Sequence, residues 1–201
     1  RPWYRAGETQ TDQTWTSVYI DFGTGDLVAT RARRVLGPNA EFEGVVATDV
    51  SLRALNDFVT NLRVSENGLA FIVEPNGDLI ASSSSPNVAR APDGTRIRVN
   101  ASQSGNPLVQ AIYAEVRQHL AARGTRTGAQ TLQFQDAGGR AIHVGFDRLR
   151  DDSGLEWITV VALPRSDFMQ GVTENVVRTA VLGALAALIA VALGLRILGW
   201  V

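Results

Sequence analysis

Apolar and polar residues alternate in short runs along the N-terminal part of the chain. The alternation between Val18 and Phe22 has the period of a half-buried strand, and Gly44–Asp49 is predicted as a second strand. The rest of residues 1–48 has a composition typical of strands and loops. Helical spacing replaces this pattern at Ser51–Arg63, which is predicted as an amphipathic helix with an apolar stripe of Leu52, Leu55, Val59 and Leu62.

A β-hairpin is predicted next. Leu69–Glu74 and Leu79–Ser82 are apolar runs that flank Pro75-Asn76-Gly77-Asp78, and Asn-Gly between apolar runs is the strongest short-range hairpin signal. The following segment, Ser83–Gly105, is rich in Ser, Asn, Pro and Gly and is interpreted as a long surface loop.

One more helix and three strands are predicted before the C-terminal segment. Asn106 and Pro107 are typical first residues of a helix that ends at Gly124 and buries Leu108, Ile112, Val116 and Leu120. The strands are expected at Thr131–Gln135, Ala141–Phe146 and Trp157–Leu163. This order predicts an α+β fold, in which an antiparallel sheet carries helices on one side, and not a βαβ nucleotide-binding fold.

The C-terminal segment has the character of a membrane span. No charged residue occurs from Thr179 to Leu195, and the apolar run continues past Arg196 to Trp200, close to the roughly 20 residues that a helix needs to cross a bilayer. A buried core helix is the alternative, but such helices rarely lack a polar face over this length. We predict that the segment spans the membrane with Arg1 outside and the C-terminus inside.

Composition excludes several classes of protein. The chain has no cysteine, which excludes thiolate nucleophiles, disulfides and cysteine-bound metals. Its net charge of -1 and its scattered charges give no sign of a nucleic-acid surface. His119 and His143 have no acidic partner at the spacing of a metal site. We therefore expect no catalytic site, no metal and no cofactor in this region.

A ligand-binding site is better supported by the residue types present. An arginine fork binds carboxylates, aromatic faces attract ammonium groups, and carboxylates neutralise them. Such groups cluster near the N-terminus and at the ends of the first predicted strands. The candidate ligand-binding residues are Arg1, Trp3, Tyr4, Tyr19, Asp21 and Asp49.

Each candidate also has a purely structural alternative. Asp49 could be the N-cap of the helix that follows it, and Asp21 could begin a turn before Gly23. Trp3 and Tyr4 could be core aromatics. Residue types and spacing alone leave these alternatives open.

The chain resembles the double Cache sensor domains of bacterial transmembrane receptors. The resemblance rests on Arg-Pro-Trp-Tyr at 1–4, Tyr-Ile-Asp at 19–21, Thr-Gly at 24–25, Gly-Val-Val-Ala-Thr-Asp-Val-Ser-Leu at 44–52, the hairpin at 71–82 and Leu-Pro-Arg-Ser-Asp-Phe at 163–168. It implies two PAS-like modules, a membrane-distal one at 1–63, whose first elements would precede Arg1, and a proximal one at 64–166. A stalk at 167–178 and a transmembrane helix at 179–201 would follow.

An amino-acid- or amine-binding subclass of this family has the pattern Arg-x-Trp-Tyr, Tyr-x-Asp and a later lone Asp, which the six candidates match. The resemblance implies that the arginine and tryptophan hold the ligand carboxylate and that the tyrosines and aspartates hold its ammonium group. It also implies a homodimeric receptor in the inner membrane with a periplasmic sensor. The missing cytoplasmic output would be a histidine kinase, a nucleotide or diguanylate cyclase, or a chemoreceptor signalling domain.

Two further expectations follow. We expect no essential ligand in the proximal module, because it lacks a comparable set of charged and aromatic residues. The alternative to an amino-acid sensor is a ligand-free Cache domain that serves as a dimerisation spacer or as a docking site for a periplasmic partner protein.

Overall fold

The fold is an α+β arrangement of antiparallel sheets. The computed structural model describes residues 1–123, 128–167, 179–180 and 182. In chain order, the elements are α1 (Pro2–Thr9), β1 (Thr14–Trp15), β2 (Tyr19–Ile20), β3 (Leu27–Leu36), β4 (Phe42–Ser51), α2 (Arg53–Asn61), β5 (Leu69–Val73), β6 (Leu79–Ser82), β7 (Val88–Arg90), β8 (Arg96–Arg98), a 3₁₀ turn (Ala101–Gln103), α3 (Pro107–Arg123), β9 (Gln130–Gln135), β10 (Ala141–Arg150) and β11 (Glu156–Pro164).

The first sheet is built around β3. On one edge β3 pairs with β4, and on the other it pairs with β1 and then β2. The helix α1 packs on one face, where Gly7 is so close to Val45 that a Cβ would overlap the valine side chain. The interpretation of residues 1–48 as strands and loops is wrong for Pro2–Thr9, because Pro2 stands at the first turn of a helix, where proline is well tolerated.

The long strand β3 was not predicted at all. Its first four residues, from Leu27 to Thr30, are all buried, because α1 covers one face of the first sheet and the second sheet covers the other. A strand buried on both faces has no apolar–polar alternation, and the arginines that follow in β3 further obscure the pattern.

The second sheet has five strands in the order β6-β5-β11-β10-β9, all antiparallel. The predicted hairpin, the helix from Pro107 and the final three strands are confirmed, with β10 continuing to Arg150. Asn106 caps α3, since its side-chain oxygen accepts a hydrogen bond from the N–H of Leu108 at 2.9 Å. The α3 stripe packs on the strand side chains in a core that includes Phe71, Ile112, Val144 and Val160.

Helices lie on both faces of the second sheet, so the expectation of helices on one side is wrong. Residues of β5 alternate between the two faces: Phe71 packs toward α3, whereas Ala70 packs with Ala81 against Val59 of α2. The predicted helix at Ser51–Arg63 is therefore confirmed in place, with slightly shorter bounds, but it covers the face opposite α3.

The segment Ser83–Gly105 is not a plain loop, which corrects the prediction. It contains the β7–β8 hairpin and the 3₁₀ turn. The hairpin turn is built by Asp93, whose carboxylate accepts the N–H of Thr95 at 2.9 Å, and by Gly94 with φ +84°. The strands are short and Ile97 is exposed, so they carry too little apolar pattern to be detected.

The predicted stalk at 167–178 and membrane span at 179–201 lie almost entirely outside the described residues. Among the residues that are described, no helix is long and apolar enough to cross a membrane.

Candidate functional site

Three side chains form a chain of hydrogen bonds on the α1 face of the first sheet. The hydroxyl of Thr30 donates to a carboxylate oxygen of Asp49 at 2.6 Å. The hydroxyl of Tyr19 lies 2.8 Å from the same Thr30 oxygen. Since the carboxylate can only accept, the hydroxyl proton of Thr30 is donated to Asp49. Tyr19 must therefore donate its own hydroxyl proton to Thr30. The result is a positioned carboxylate backed by two hydroxyls.

Strand register explains why these residues meet. Thr30 of β3 is directly opposite Asp49 of β4, and Tyr19 of β2 is opposite Val28. Directly opposed residues point to the same face of a sheet, and residues two apart in a strand do so as well. Thr30 is fully buried, whereas Asp49 is exposed. A buried hydroxyl thus holds a carboxylate that is exposed to solvent.

The alternative role of Asp49 as a helix cap does not apply. Asp49 lies within β4, and the N-cap position of α2 is Leu52, which makes no side-chain capping hydrogen bond. The carboxylate of Asp49 instead bonds to Thr30.

Asp21 occupies the turn that its structural alternative described. Strand β2 ends at Ile20, and the carboxylate of Asp21 accepts the backbone N–H of Thr24 at 2.8 Å and its hydroxyl at 2.9 Å. The backbone N–H of Thr24, followed by its hydroxyl, lowers the pKa of Asp21. The structure does not bring this carboxylate into the hydrogen-bonded chain of Tyr19, Thr30 and Asp49.

The N-terminal candidates lie on α1. Arg1 is exposed at the N-cap position of α1, and its side chain makes no capping hydrogen bond. Trp3 is half-buried and makes an edge contact with Tyr4, whose ring also meets Phe42 at the start of β4. Phe42 is at the opposite end of β4 from Asp49, so Tyr4 and Asp49 are not brought together.

Two polar residues on the same sheet face were missed. Thr30 and Arg34 both belong to β3, whose existence the sequence pattern did not reveal. Arg34 is opposite Val45, four residue pairs along from Thr30, and its Nε is buried without a hydrogen-bond partner. The alanine pair Ala32–Ala47 separates the two positions. The face therefore presents a carboxylate and a guanidinium on either side of small side chains.

The residue before Tyr19 is tied to the second sheet. The backbone N–H of Val18 donates to Glu74 at 2.9 Å, and its carbonyl accepts from Arg98 at 2.8 Å. Glu74 and Arg98 form an ion pair, with side chains that are only 9% and 12% exposed. Arg98 also donates to the carbonyls of Asp78 and Leu79 in the β5–β6 hairpin.

A second connection joins the sheets at the β10–β11 turn. The indole N–H of Trp15 donates to Asp151 at 2.6 Å, and Arg31 donates to Ser153 at 2.7 Å while stacking on Trp15. Apolar contacts lie between these polar connections, where Leu27 and Ala29 of β3 pack in one core with Ile80. The first sheet is therefore fixed to the second by both polar and apolar contacts.

Comparison with known proteins supports one family. A family model described as a Cache domain matches residues 1–172. Over 131 residues the chain is 30% identical to the methyl-accepting chemotaxis protein McpC of Bacillus subtilis strain 168, a match covering 65% of this chain and 20% of McpC.

Solved structures share the fold. The extracellular domain of mmHK1S-Z3, a protein assigned as a histidine kinase, matches with a TM-score of 0.55 at 15% identity, over 87% of this chain and 57% of that one. The ligand-binding domain of Mlp24 with asparagine matches with a TM-score of 0.50 at 21% identity, over 83% and 56%. The chain thus spans about a fifth of McpC and less than three fifths of these structures.

Proposed function

Because the chain belongs to the Cache domain family, we propose that it is the ligand-binding sensory region of a bacterial transmembrane receptor that detects an amino acid or a related amine. The sensor would lie outside the cytoplasm, in a homodimer anchored by the segment after residue 178. In this proposal residues 1–63 form the membrane-distal, ligand-binding module and residues 64–166 the proximal one.

The observation that carries the proposal is the positioned carboxylate of Asp49. An ammonium group needs a carboxylate whose orientation is already fixed, because ordering it on binding would cost affinity. The buried hydroxyl of Thr30 supplies that order, and Tyr19 completes the hydrogen-bonding of Thr30. The asparagine bound to Mlp24 is an α-amino acid of the proposed class.

The ligand carboxylate needs a guanidinium. The family resemblance implies that Arg1, together with Trp3 two residues later, is this partner. Arg34 is a second guanidinium, on the sheet face that carries Asp49. The Nε of Arg34 is buried without a hydrogen-bond partner, so this donor is unsatisfied. Asp21 and Tyr4 remain part of the proposed site on the resemblance alone.

Signal transmission would begin at Tyr19. A ligand that binds the Asp49 carboxylate would change the hydrogen bonds of Thr30 and Tyr19. Val18, next to Tyr19, is held by hydrogen bonds to Glu74 and Arg98. Arg98 also donates hydrogen bonds to the β5–β6 hairpin. A movement of Tyr19 would therefore reach the second sheet through the adjacent Val18 and through Arg98.

Replacing Asp49 by asparagine tests the proposal. The amide oxygen of asparagine can still accept the bond from Thr30, so stability should change little, while the charge facing the ammonium group is lost. A hydrogen bond to a charged group contributes about 1.5–3 kcal/mol, so affinity should fall roughly 10- to 150-fold. The measurement is isothermal titration of the chain against a panel of L-amino acids and simple amines, beside thermal melts.

Asp152→Asn is the matched control, because it removes the same charge from an exposed turn of the second sheet. Arg1→Ala and Arg34→Ala then identify the carboxylate partner: the correct one should weaken amino acids far more than amines that have no carboxylate. If no member of the panel binds, or if Asp49→Asn binds at full strength, the chain is better described as a ligand-free spacer or docking module.

A further inference from the structure

A cavity of about 220 Å³ lies between α3 and the second sheet, and none of its lining residues belongs to the first sheet. One wall is the α3 face that carries Tyr113, Arg117 and Leu120, which are spaced at helical intervals. The opposite wall is the end of the β10–β11 pair, where Arg148 is paired with Ile158 and Glu156 also borders the cavity. Two guanidinium groups therefore border a single small space between the helix and the sheet.

Arg148 has unfilled hydrogen-bond donors. Its side chain is only 15% exposed, yet the guanidinium makes no hydrogen bond within the described part of the chain, and its Nε is buried without a partner. The nearest carboxylate, Glu156, is 3.9 Å from that Nε and is bonded at 2.7 Å to Arg150 instead. A largely buried cation whose Nε has no hydrogen-bond partner is costly, and an acceptor bound in the cavity would offset that cost.

The remaining lining narrows the chemistry of that acceptor. Arg117 is close enough to Tyr113 for its charge to oppose the rise in the pKa of that phenol, whose main cause is burial. Tyr113 is thus a neutral hydroxyl at ordinary pH, able to donate a hydrogen bond. Leu120, Ile158 and Pro75 give the cavity an apolar floor. Glu156 is the one carboxylate among the lining residues, and it is bonded at 2.7 Å to Arg150, so the two lining arginines leave an excess of positive charge. Two cations, a neutral donor and an apolar floor match a small anion that carries a short carbon chain.

We propose that this cavity binds a small organic carboxylate of a few carbons, held by Arg148 and Arg117 with its apolar part against Leu120 and Ile158. An arginine fork is suited to two-point binding of a carboxylate, and the floor gives an organic anion an advantage over an inorganic one. The proposal departs from the expectation that the proximal module, residues 64–166, has no essential ligand. It does not depend on the amino-acid site, because it uses none of that site's residues.

The test is titration of the chain with sodium acetate, lactate and succinate, with sodium phosphate and chloride at matched ionic strength as comparisons. Binding is followed by calorimetry and by amide chemical shifts of residues around Tyr113 and Arg148. We expect saturable binding of at least one carboxylate, weakened at least about tenfold by Arg148→Gln and less by Arg148→Lys, which keeps the charge but not the fork.

Three further variants separate the outcomes. Arg117→Gln changes an exposed residue, so it should fold normally and still weaken binding, which keeps the test valid if Arg148→Gln is unstable. Arg140→Gln, in the exposed β9–β10 turn, and Arg90→Gln, at the exposed end of β7, should leave carboxylate binding unchanged. Absence of saturable carboxylate binding, full-strength binding by both Arg148→Gln and Arg117→Gln, or equally tight binding of phosphate would each overturn the proposal.

Discussion

Thr30 shows how much one buried hydroxyl contributes at the scale of a residue. It donates to Asp49 and accepts from Tyr19, so a single side chain sets the geometry of both flanking groups. Neither neighbour needs Thr30 for its own solvation, since Asp49 is exposed and Tyr19 is half-buried. The importance of Thr30 therefore lies in positioning as much as in stability.

We predict that Thr30→Val, which keeps the shape but loses the hydroxyl, costs about 1 kcal/mol of unfolding free energy, the value of a typical net hydrogen bond. It should also weaken amino-acid binding several-fold, because Asp49 loses its fixed orientation. Urea unfolding and calorimetric titration measure the two effects. Thr131→Val, at an exposed strand position, is the matched control and should change neither. Unchanged amino-acid affinity in Thr30→Val would show that Asp49 does not need this support.

At the scale of elements, the β5–β6 hairpin is fitted to α3 by a glycine. Gly77 has φ +92°, and the hydroxyl of Tyr113 occupies the space that a Cβ would need. Gly139, in the β9–β10 turn, also has a positive φ, +74°, but nothing lies within 4 Å of its Cβ position. Both glycines therefore have a positive φ, but only Gly77 has another side chain in the space of its Cβ position.

Alanine at each glycine separates these effects. Gly139→Ala should cost about 1–2 kcal/mol, the strain of a left-handed backbone in a residue with a Cβ. Gly77→Ala should cost at least about 1 kcal/mol more, because Tyr113 must also move out of a packed core. Chemical denaturation of both variants measures the difference, and equal losses would mean that Tyr113 adapts freely.

At the scale of the whole molecule, hydrogen bonds join the two sheets next to Tyr19, a residue of the candidate site. Val18 is held by Glu74 and Arg98, while its neighbour Tyr19 bonds to Thr30. If the sheets respond to each other, changes on the two sides of Val18 should not be independent.

A double-mutant cycle on unfolding free energy tests this coupling without any ligand. We predict that Tyr19→Phe and Glu74→Gln deviate from additivity by at least about 0.5 kcal/mol, as residues of one network do. Tyr19→Phe with Asp136→Asn, whose carboxylate bonds only within its own turn, should be additive within about 0.5 kcal/mol. Additivity in both cycles would argue against transmission through Val18.

The sequence by itself determined the elements whose signals are local. Asn76-Gly77 marks a turn that few residue pairs can form, and Asn106-Pro107 begins α3 because capping and a fixed φ depend only on neighbouring residues. The apolar residues of β5, β10 and β11 were enough to predict these strands, because strands of an α+β sheet bury apolar side chains. Tyr19 and Asp49 were also named as candidate site residues from the sequence, through the family pattern, and their role in binding stays a prediction.

Only the tertiary structure decided which polar groups meet. Thr30, Arg34 and Glu74 have no local signal, since each gains its role from strand register or from the packing of one sheet on the other. The turn at Asp21 and the strand position of Asp49 resolved alternatives that spacing left open, because both depend on where β2 and β4 end. Strand β3 was not predicted for the same reason. It is buried by two partners distant in sequence, one on each face, so its apolar and polar residues do not alternate.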